Sequence, residues 1–107
     1  MRPVRSAPAE IVTVGADRLA IRGALTFDTA RLASAAGLRA IGASAARRLE
    51  VDFAAVTAAD SAGLAVCLVW LARAQKDGRE LRFTNLPAHI RSLARISEID
   101  SLIEQGK

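Results

Sequence analysis

Three short segments with alternating apolar and polar residues are separated along this chain by stretches with helical spacing. The alternating segments are Leu19–Gly23, Leu49–Phe53 and Glu80–Thr84, and alternation with a period of two is typical of half-buried β-strands. Strands that are separated by a helix need crossover connections, which favour parallel pairing and a sheet covered by helices. The sequence therefore predicts an α/β domain.

The N-terminal segments add an antiparallel element to this pattern. Ile11–Val14 is a short β-type run, and the turn residues after it predict a hairpin with Leu19–Gly23. A helix is expected from Asp28 to Ile41, capped by Thr26 or Asp28 and ending at Gly42. The predicted sheet is thus mixed, with about four strands.

Two more helices are expected after the strand Glu80–Thr84. Pro87 suits the first position of one of them, because its missing N–H is no loss there. Ser97–Asp100 resembles a capping box that opens a last short helix. The full predicted order is β-β-α-β-α-β-α-α.

Length and cysteine content limit the class of protein. The chain has 107 residues and one cysteine, Cys67, which predicts one domain without an internal disulfide framework or a cysteine-based zinc site. We assign residues 1–10 to a flexible N-terminus and residues 11–107 to the domain. No signal-peptide core is visible, and the apolar run Ala62–Ala72 is shorter than the ~20 residues of a membrane span. A soluble cytoplasmic protein is expected.

The net charge of +4 does not by itself indicate nucleic-acid binding. The arginines are scattered from Arg18 to Arg95, and no aromatic residues are interleaved with them to stack on bases. Enzymatic chemistry has equally little support. His89 lies far in sequence from Cys67, which is expected in the core, and the glycines are isolated. We therefore predict no catalytic residues, no cofactor, no metal and no nucleic-acid partner.

The most informative segment is Ser61–Lys76, because its predicted helix has apolar residues on two sides. The face predicted to pack on the sheet consists of Leu64, Cys67, Leu68 and Leu71. The opposite face consists of Ala62, Val66, Val69, Trp70 and Arg73. One sheet can bury only one of these two faces.

Exposure of Val66, Val69 and Trp70 would forgo about 1.5–3 kcal/mol per side chain relative to burial. Either another helix of the same domain covers them, or they form a surface for a partner protein. Because Trp is the most common interface anchor, we favour the partner surface. A Trp70→Glu variant is then expected to fold and to lose partner binding.

Asp60 and Ser61 stand at the start of this helix, where either side chain can cap it. Ser61 is also a possible phosphorylation site. A phosphate at a helix N-terminus interacts well with the unpaired amides and the helix dipole. It would also add negative charge beside the apolar surface. Both roles remain open from the residues alone.

The ordered combination of these segments resembles the STAS domain family. The resemblance rests on the strand Leu49–Phe53, the corner Asp60–Leu64, the aliphatic helix, the strand Leu81–Thr84 and the ending Leu93–Leu102. It covers the chain from about Ile11 to Ile103. It implies a STAS-like single domain that acts by binding a protein through Asp60, Ser61 and the start of the following helix.

Within that family the compact length and the ending resemble the STAS subunit (MlaB-like) of the Mla phospholipid-trafficking ABC transporter. This resemblance implies a non-catalytic subunit that binds the ATPase, supports transporter assembly and activity, and is peripheral to the inner membrane through that partner. Anti-sigma-factor antagonists are the alternative. For them the position of Ser61 is phosphorylated by a partner kinase, and Ala62 stands where a second Ser is common.

Overall fold

The computed structural model describes residues 9–97 and Ile99. Its elements are β1 Glu10–Gly15, β2 Arg18–Leu25, α1 Ala30–Ala43, β3 Arg48–Ala59, α2 Ser61–Lys76, β4 Glu80–Thr84 and α3 Ala88–Ile96. The predicted α/β fold is confirmed, and the described residues form a four-stranded mixed sheet and three helices. The helix predicted after Ser97, and residues 1–8 of the expected flexible N-terminus, lie outside the described residues.

The four strands are arranged in the order β1-β2-β3-β4. β1 and β2 form the predicted antiparallel hairpin, whereas β3 pairs in parallel with both β2 and β4. The register places Val51 of β3 between Leu19 and Phe83 of the neighbouring strands. Both crossovers step in the same direction along the sheet. Because such connections are right-handed, α1 and α2 pack on the same face.

The core lies between that face and the helices. The alternating residues Leu49, Val51 and Phe53 of β3 are each no more than 2% exposed. Phe53 and Phe83 make an edge-to-face contact with ring centroids 5.5 Å apart. Apart from these rings and Trp70, the buried apolar side chains are mostly aliphatic or alanine, as expected from a chain with few aromatic residues.

The other face of the sheet carries paired charges. Arg18 lies 3.0 Å from Glu50 and 3.8 Å from Asp52, and Arg48 lies 3.6 Å from Glu80. These residues alternate with the buried ones along their strands. The period of two therefore separates the core from a polar outer face.

The start of α1 differs from the prediction. The helix begins at Ala30 with Thr29 as its N-cap residue, so Thr26 and Asp28 do not cap it. β2 runs on to Leu25, and the carbonyl of Thr26 then closes a turn by accepting from the N–H groups of Thr29 and Ala30. The Thr29 hydroxyl donates to the carbonyl of Ala24 at 2.7 Å. Because of this turn, the helix begins two residues later than predicted.

The end of α1 is held by a residue from the turn between α2 and β4. The helix continues past Gly42 to Ala43. The guanidinium of Arg79 donates to the carbonyls of Ile41 and Ser44. The Ile41 carbonyl also accepts from the N–H of Ser44 at 3.2 Å. A cation beside carbonyls at the C-terminal end of a helix stabilises that end.

Candidate protein-interaction surface

Asp60 joins two segments at the carboxyl end of β3. Its Oδ1 accepts from the backbone N–H of Ala62 at 2.9 Å, which caps α2 as predicted. Its Oδ2 accepts from the backbone N–H of Phe27 at 3.0 Å. One carboxylate therefore fixes both the first turn of α2 and the turn that leads into α1.

Ser61 is the first residue of α2 and is exposed, with the half-buried Ala62 beside it. Gly63 is buried against β2, where a Cβ would lie 2.9 Å from the carbonyl oxygen of Leu25. Only glycine allows the backbones to approach so closely. The corner Asp60–Leu64 thus seats the helix on the sheet and leaves Ser61 facing outward.

The predicted exposure of Val66 and Trp70 is wrong. Val66 is 4% exposed and Trp70 is 1% exposed. The indole Nε1 of Trp70 donates to the carbonyl of Ser34 at 3.1 Å, and the ring packs directly against Gly37. The small residues of α1 let it approach α2 closely enough to cover this face. For these two side chains, the covering element is another helix of the same domain.

Val69 does face outward, with 44% of its surface exposed. It borders a groove of about 890 Å³ between α1 and α2. We call this the α1–α2 groove, and its apolar lining consists of Phe27, Ala30, Leu32, Ala35, Leu38, Ala62, Ala65, Val66 and Val69. Phe27 and Leu32 are 83% and 65% exposed. The surface is therefore apolar, but its composition differs from the predicted one.

The sequence reasoning missed Phe27 and Leu32. α1 has a weak, alanine-rich stripe, and its alanines and Gly37 supply much of its contact with α2 and the sheet. Once the small residues are assigned to the core, the large apolar residues near them need another explanation. The difference in size between the packed alanines of α1 and the large residues Phe27 and Leu32 was the signal in the sequence that could have identified this surface.

Arg73 is exposed and lies four residues after Val69, which places it on the same side of α2. Its Nε lies 3.1 Å from Oδ2 of Asp77. Along α2 the order is therefore Ser61 and Ala62 at the N-terminal end, Val69 in the groove and Arg73 beyond it. Of the predicted site residues, these four and Asp60 lie at or near one surface, whereas Trp70 is internal and Val66 contributes only a small exposed area.

The residues considered for chemistry lie apart from this surface. Cys67 is fully buried, and desolvation raises the pKa of its thiol to about 12. His89 is exposed on α3. Among the described residues, no group of three or more His, Cys, Asp or Glu side chains is placed to hold a metal ion. None of the helices in this part of the chain has both the length and the apolar character that crossing a bilayer requires.

The fold and this corner define a STAS domain. The family model described as "Mlab, STAS domain" matches residues 12–104, so the chain belongs to that family. Among solved structures, the anti-sigma factor antagonist SpoIIAA in its unphosphorylated form is similar, with a TM-score of 0.68 and 18% identity. The match covers 89% of this chain and 84% of that one, and it shows a common fold. No curated protein matches the sequence.

Proposed function

We propose that this chain is a non-catalytic STAS subunit that binds the ATPase of an Mla-type phospholipid-trafficking ABC transporter and supports its assembly and activity. It would act in the cytoplasm, peripheral to the inner membrane through that ATPase. The observation that carries the proposal is the exposed apolar groove beside Ser61, in a chain that belongs to the MlaB-like family. Family membership supports the transporter, and the groove supports a protein partner.

The exposed side chains make a protein partner physically reasonable. Phe27 and Leu32 are large apolar residues with most of their surface in water. Val69 adjoins them across the groove, so the three form one patch and not scattered surface residues. A contiguous apolar patch on a small domain is a common mark of a binding surface.

The second candidate is an anti-sigma-factor antagonist that is switched by phosphorylation of Ser61. Two observations favour it: Ser61 is exposed at the first position of α2, and the fold is similar to that of SpoIIAA. A phosphate there would add about two negative charges next to Asp60 and the mouth of the groove. The partner would then be a kinase-type anti-sigma factor.

Copurification tests the first proposal against the second. The full chain is coexpressed with the candidate ABC ATPase or with the candidate anti-sigma kinase, and the complex is isolated through a tag on the partner. The transporter proposal expects a stable complex with the ATPase. A complex with the kinase alone, together with phosphate transfer to Ser61, would replace it by the second candidate.

Substitutions at Ser61 separate the two roles of this residue. If Ser61 is a contact residue, Ser61→Ala and Ser61→Asp both weaken the complex. If it is a phosphorylation switch, Ser61→Asp abolishes binding and Ser61→Ala leaves it intact. Ser92→Asp is the matched control, because Ser92 is also exposed but lies on α3. If neither change at Ser61 alters binding, Ser61 is not part of the contact surface.

A further inference from the structure

The two helices that border the α1–α2 groove carry charges of one sign. Within their bounds α1 has Arg31 and Arg39, α2 has Arg73 and Lys76, and neither helix contains Asp or Glu. All four cationic residues are exposed. Asp77 follows α2 and pairs with Arg73, so it offsets one of these charges. Arg39 and Lys76 then leave a positive excess toward the C-terminal ends of the two helices.

The mouth of the groove, by contrast, carries charges of both signs. α1 and α2 both begin there, and the N-terminal ends of helices carry a partial positive charge. Asp28 is the acidic residue in the groove lining, and it lies just before the first turn of α1. Asp28 therefore offsets the start of α1, as the capping carboxylate of Asp60 offsets the start of α2. A partner segment in this groove gains from negative charge where it passes the cationic C-terminal halves of the two helices.

The spacing of the lining residues fits a helix as the occupant. On α1 the lining recurs at Arg31, Ser34, Ala35 and Leu38, and on α2 it recurs at Ala62, Ala65, Val66 and Val69. These are the i, i+3, i+4 and i+7 positions of one helical face. Two adjacent helices with small residues between them leave a trough whose ridges match the apolar stripe of a third helix.

We propose that the α1–α2 groove binds an acidic amphipathic helix of the partner protein, with an apolar stripe against Phe27, Leu32 and Val69 and carboxylates beside Arg31 and Arg39. The inference rests on the proposed function for the identity of the partner. A second copy of this chain is disfavoured as the occupant, because its own groove helices are equally basic. A bilayer is disfavoured because a flat surface leaves the trough unfilled.

The test uses a designed peptide with the full chain. The probe is a fluorescent peptide designed as a helix of about five turns, with Leu repeated at i, i+3, i+4 and i+7, Glu on the two flanks of this stripe and Ala elsewhere, because like charges at i, i+4 would destabilise the helix. One control peptide has the same composition in scrambled order, and a second has Lys in place of Glu. Fluorescence anisotropy measures the affinity, first at low salt and then with added NaCl. The acidic amphipathic peptide is expected to bind at least about tenfold more tightly than either control, and salt should weaken it.

Substitutions locate the binding site. Leu32→Glu and the double variant Arg31→Glu/Arg39→Glu are each expected to weaken peptide binding by about tenfold or more. Their controls are Val14→Glu, which places Glu at an exposed apolar position on β1, and Arg22→Glu/Arg91→Glu, which reverses two exposed arginines on β2 and α3. Thermal unfolding verifies that each variant folds. The charge variant keeps the test decisive even if Leu32→Glu fails to fold.

Equal binding of the Lys peptide, or unchanged binding to both groove variants, would overturn the inference. So would a dimer in sedimentation equilibrium that Leu32→Glu dissociates, or binding to phosphatidylglycerol vesicles that Leu32→Glu abolishes. If the ATPase copurifies equally with wild type and both groove variants, the proposed function stands and the inference fails. If the groove-dependent peptide binding is found and the ATPase does not copurify, the inference stands and the proposed function fails.

Discussion

The carboxylate of Asp60 accepts a hydrogen bond from the backbone N–H of Phe27 at 3.0 Å, across 33 residues of sequence. Its second oxygen caps α2 through the N–H of Ala62. The same side chain therefore sets where α2 begins and where Phe27 is presented. Because Phe27 is the most exposed of the large apolar residues at the groove, this link joins the capped helix to the proposed binding surface.

Asp60→Asn should separate these two roles. Asn has a single acceptor oxygen, and its amide nitrogen cannot accept from an N–H group. We expect the cap at Ala62 to persist and the Phe27 amide to exchange faster with solvent in hydrogen-exchange NMR. Asp60→Ala should expose both amides and cost about 1 kcal/mol of stability, as for other N-caps. Asp28→Asn is the control, and equal protection of Phe27 in wild type and Asp60→Asn would disprove the link.

The burial of Trp70 reverses the behaviour first expected of its variants. Trp70→Glu would place an unpaired charge in the core, so we now expect it to abolish folding. Trp70→Phe keeps a ring but leaves the Ser34 carbonyl without the indole donor, which should cost about 1–3 kcal/mol. Urea unfolding followed by circular dichroism measures both effects. A folded Trp70→Glu variant with wild-type stability would show that the indole is not internal.

Gly37 and Gly42 of α1 form a matched pair for the contact between α1 and α2. A Cβ on Gly37 would lie 2.3 Å from the Trp70 ring, whereas a Cβ on Gly42 would have no neighbour within 4 Å. Gly37→Ala should therefore destabilise the domain by about 1–3 kcal/mol through overpacking. Gly42→Ala should stabilise it by about 0.5–1 kcal/mol through helix propensity. Thermal unfolding of the two variants should give shifts of opposite sign, and shifts of equal sign would contradict the close packing.

Local patterns in the sequence predicted the fold better than the site. Alternation identified β2, β3 and β4, and the polar corner before α2 identified Asp60 as one of two candidate caps, because both signals depend on neighbouring residues. The burial of Trp70, by contrast, depends on how closely α1 packs against α2. A helical projection of α2 shows two apolar faces, but it does not show that Ser34 and Gly37, more than thirty residues earlier, pack on the second face.

Phe27 is an exposed residue whose position local sequence patterns also do not reveal. It lies in a turn between β2 and α1, where local sequence gives little reason to expect an exposed ring to be held in place. Its backbone is fixed by Asp60 from a distant part of the chain. Only the assembled fold brings Phe27, Leu32 and Val69 to one groove. The residues that define the candidate surface are thus a product of tertiary structure.

Cys67 should be chemically inert in the folded protein. It is fully buried, and burial raises the pKa of its thiol to about 12, so almost no thiolate is present near neutral pH. We expect negligible labelling by a thiol reagent at pH 8 and rapid labelling once urea unfolds the chain. Labelling followed by mass spectrometry measures both rates. Rapid labelling of the native protein would contradict the placement of Cys67 in the core.

The carboxylate of Asp52 should contribute to stability in a pH-dependent manner. The hydrogen bond from the Asn85 side chain, with help from the Ala54 N–H and Arg18, lowers the pKa of Asp52 below its ordinary 3.8. The folded state therefore favours the ionised form. The resulting stabilisation is present above the ordinary pKa and is lost as the pH falls through the lowered value. Asp52→Asn should consequently reduce stability at pH 6, and the difference from wild type should shrink below pH 3.8.

Urea unfolding across this pH range measures that difference, and NMR titration of the Asp52 carboxyl carbon gives its pKa directly. Asp17→Asn is the matched control, because it removes the same charge at an exposed position in the turn between β1 and β2. Its effect on stability should be smaller at pH 6. A titration midpoint for Asp52 at or above 3.8 would show that the Asn85 contact does not favour the ionised form. The outer face of the sheet would then contribute less to folding than its ion pairs and hydrogen bonds indicate.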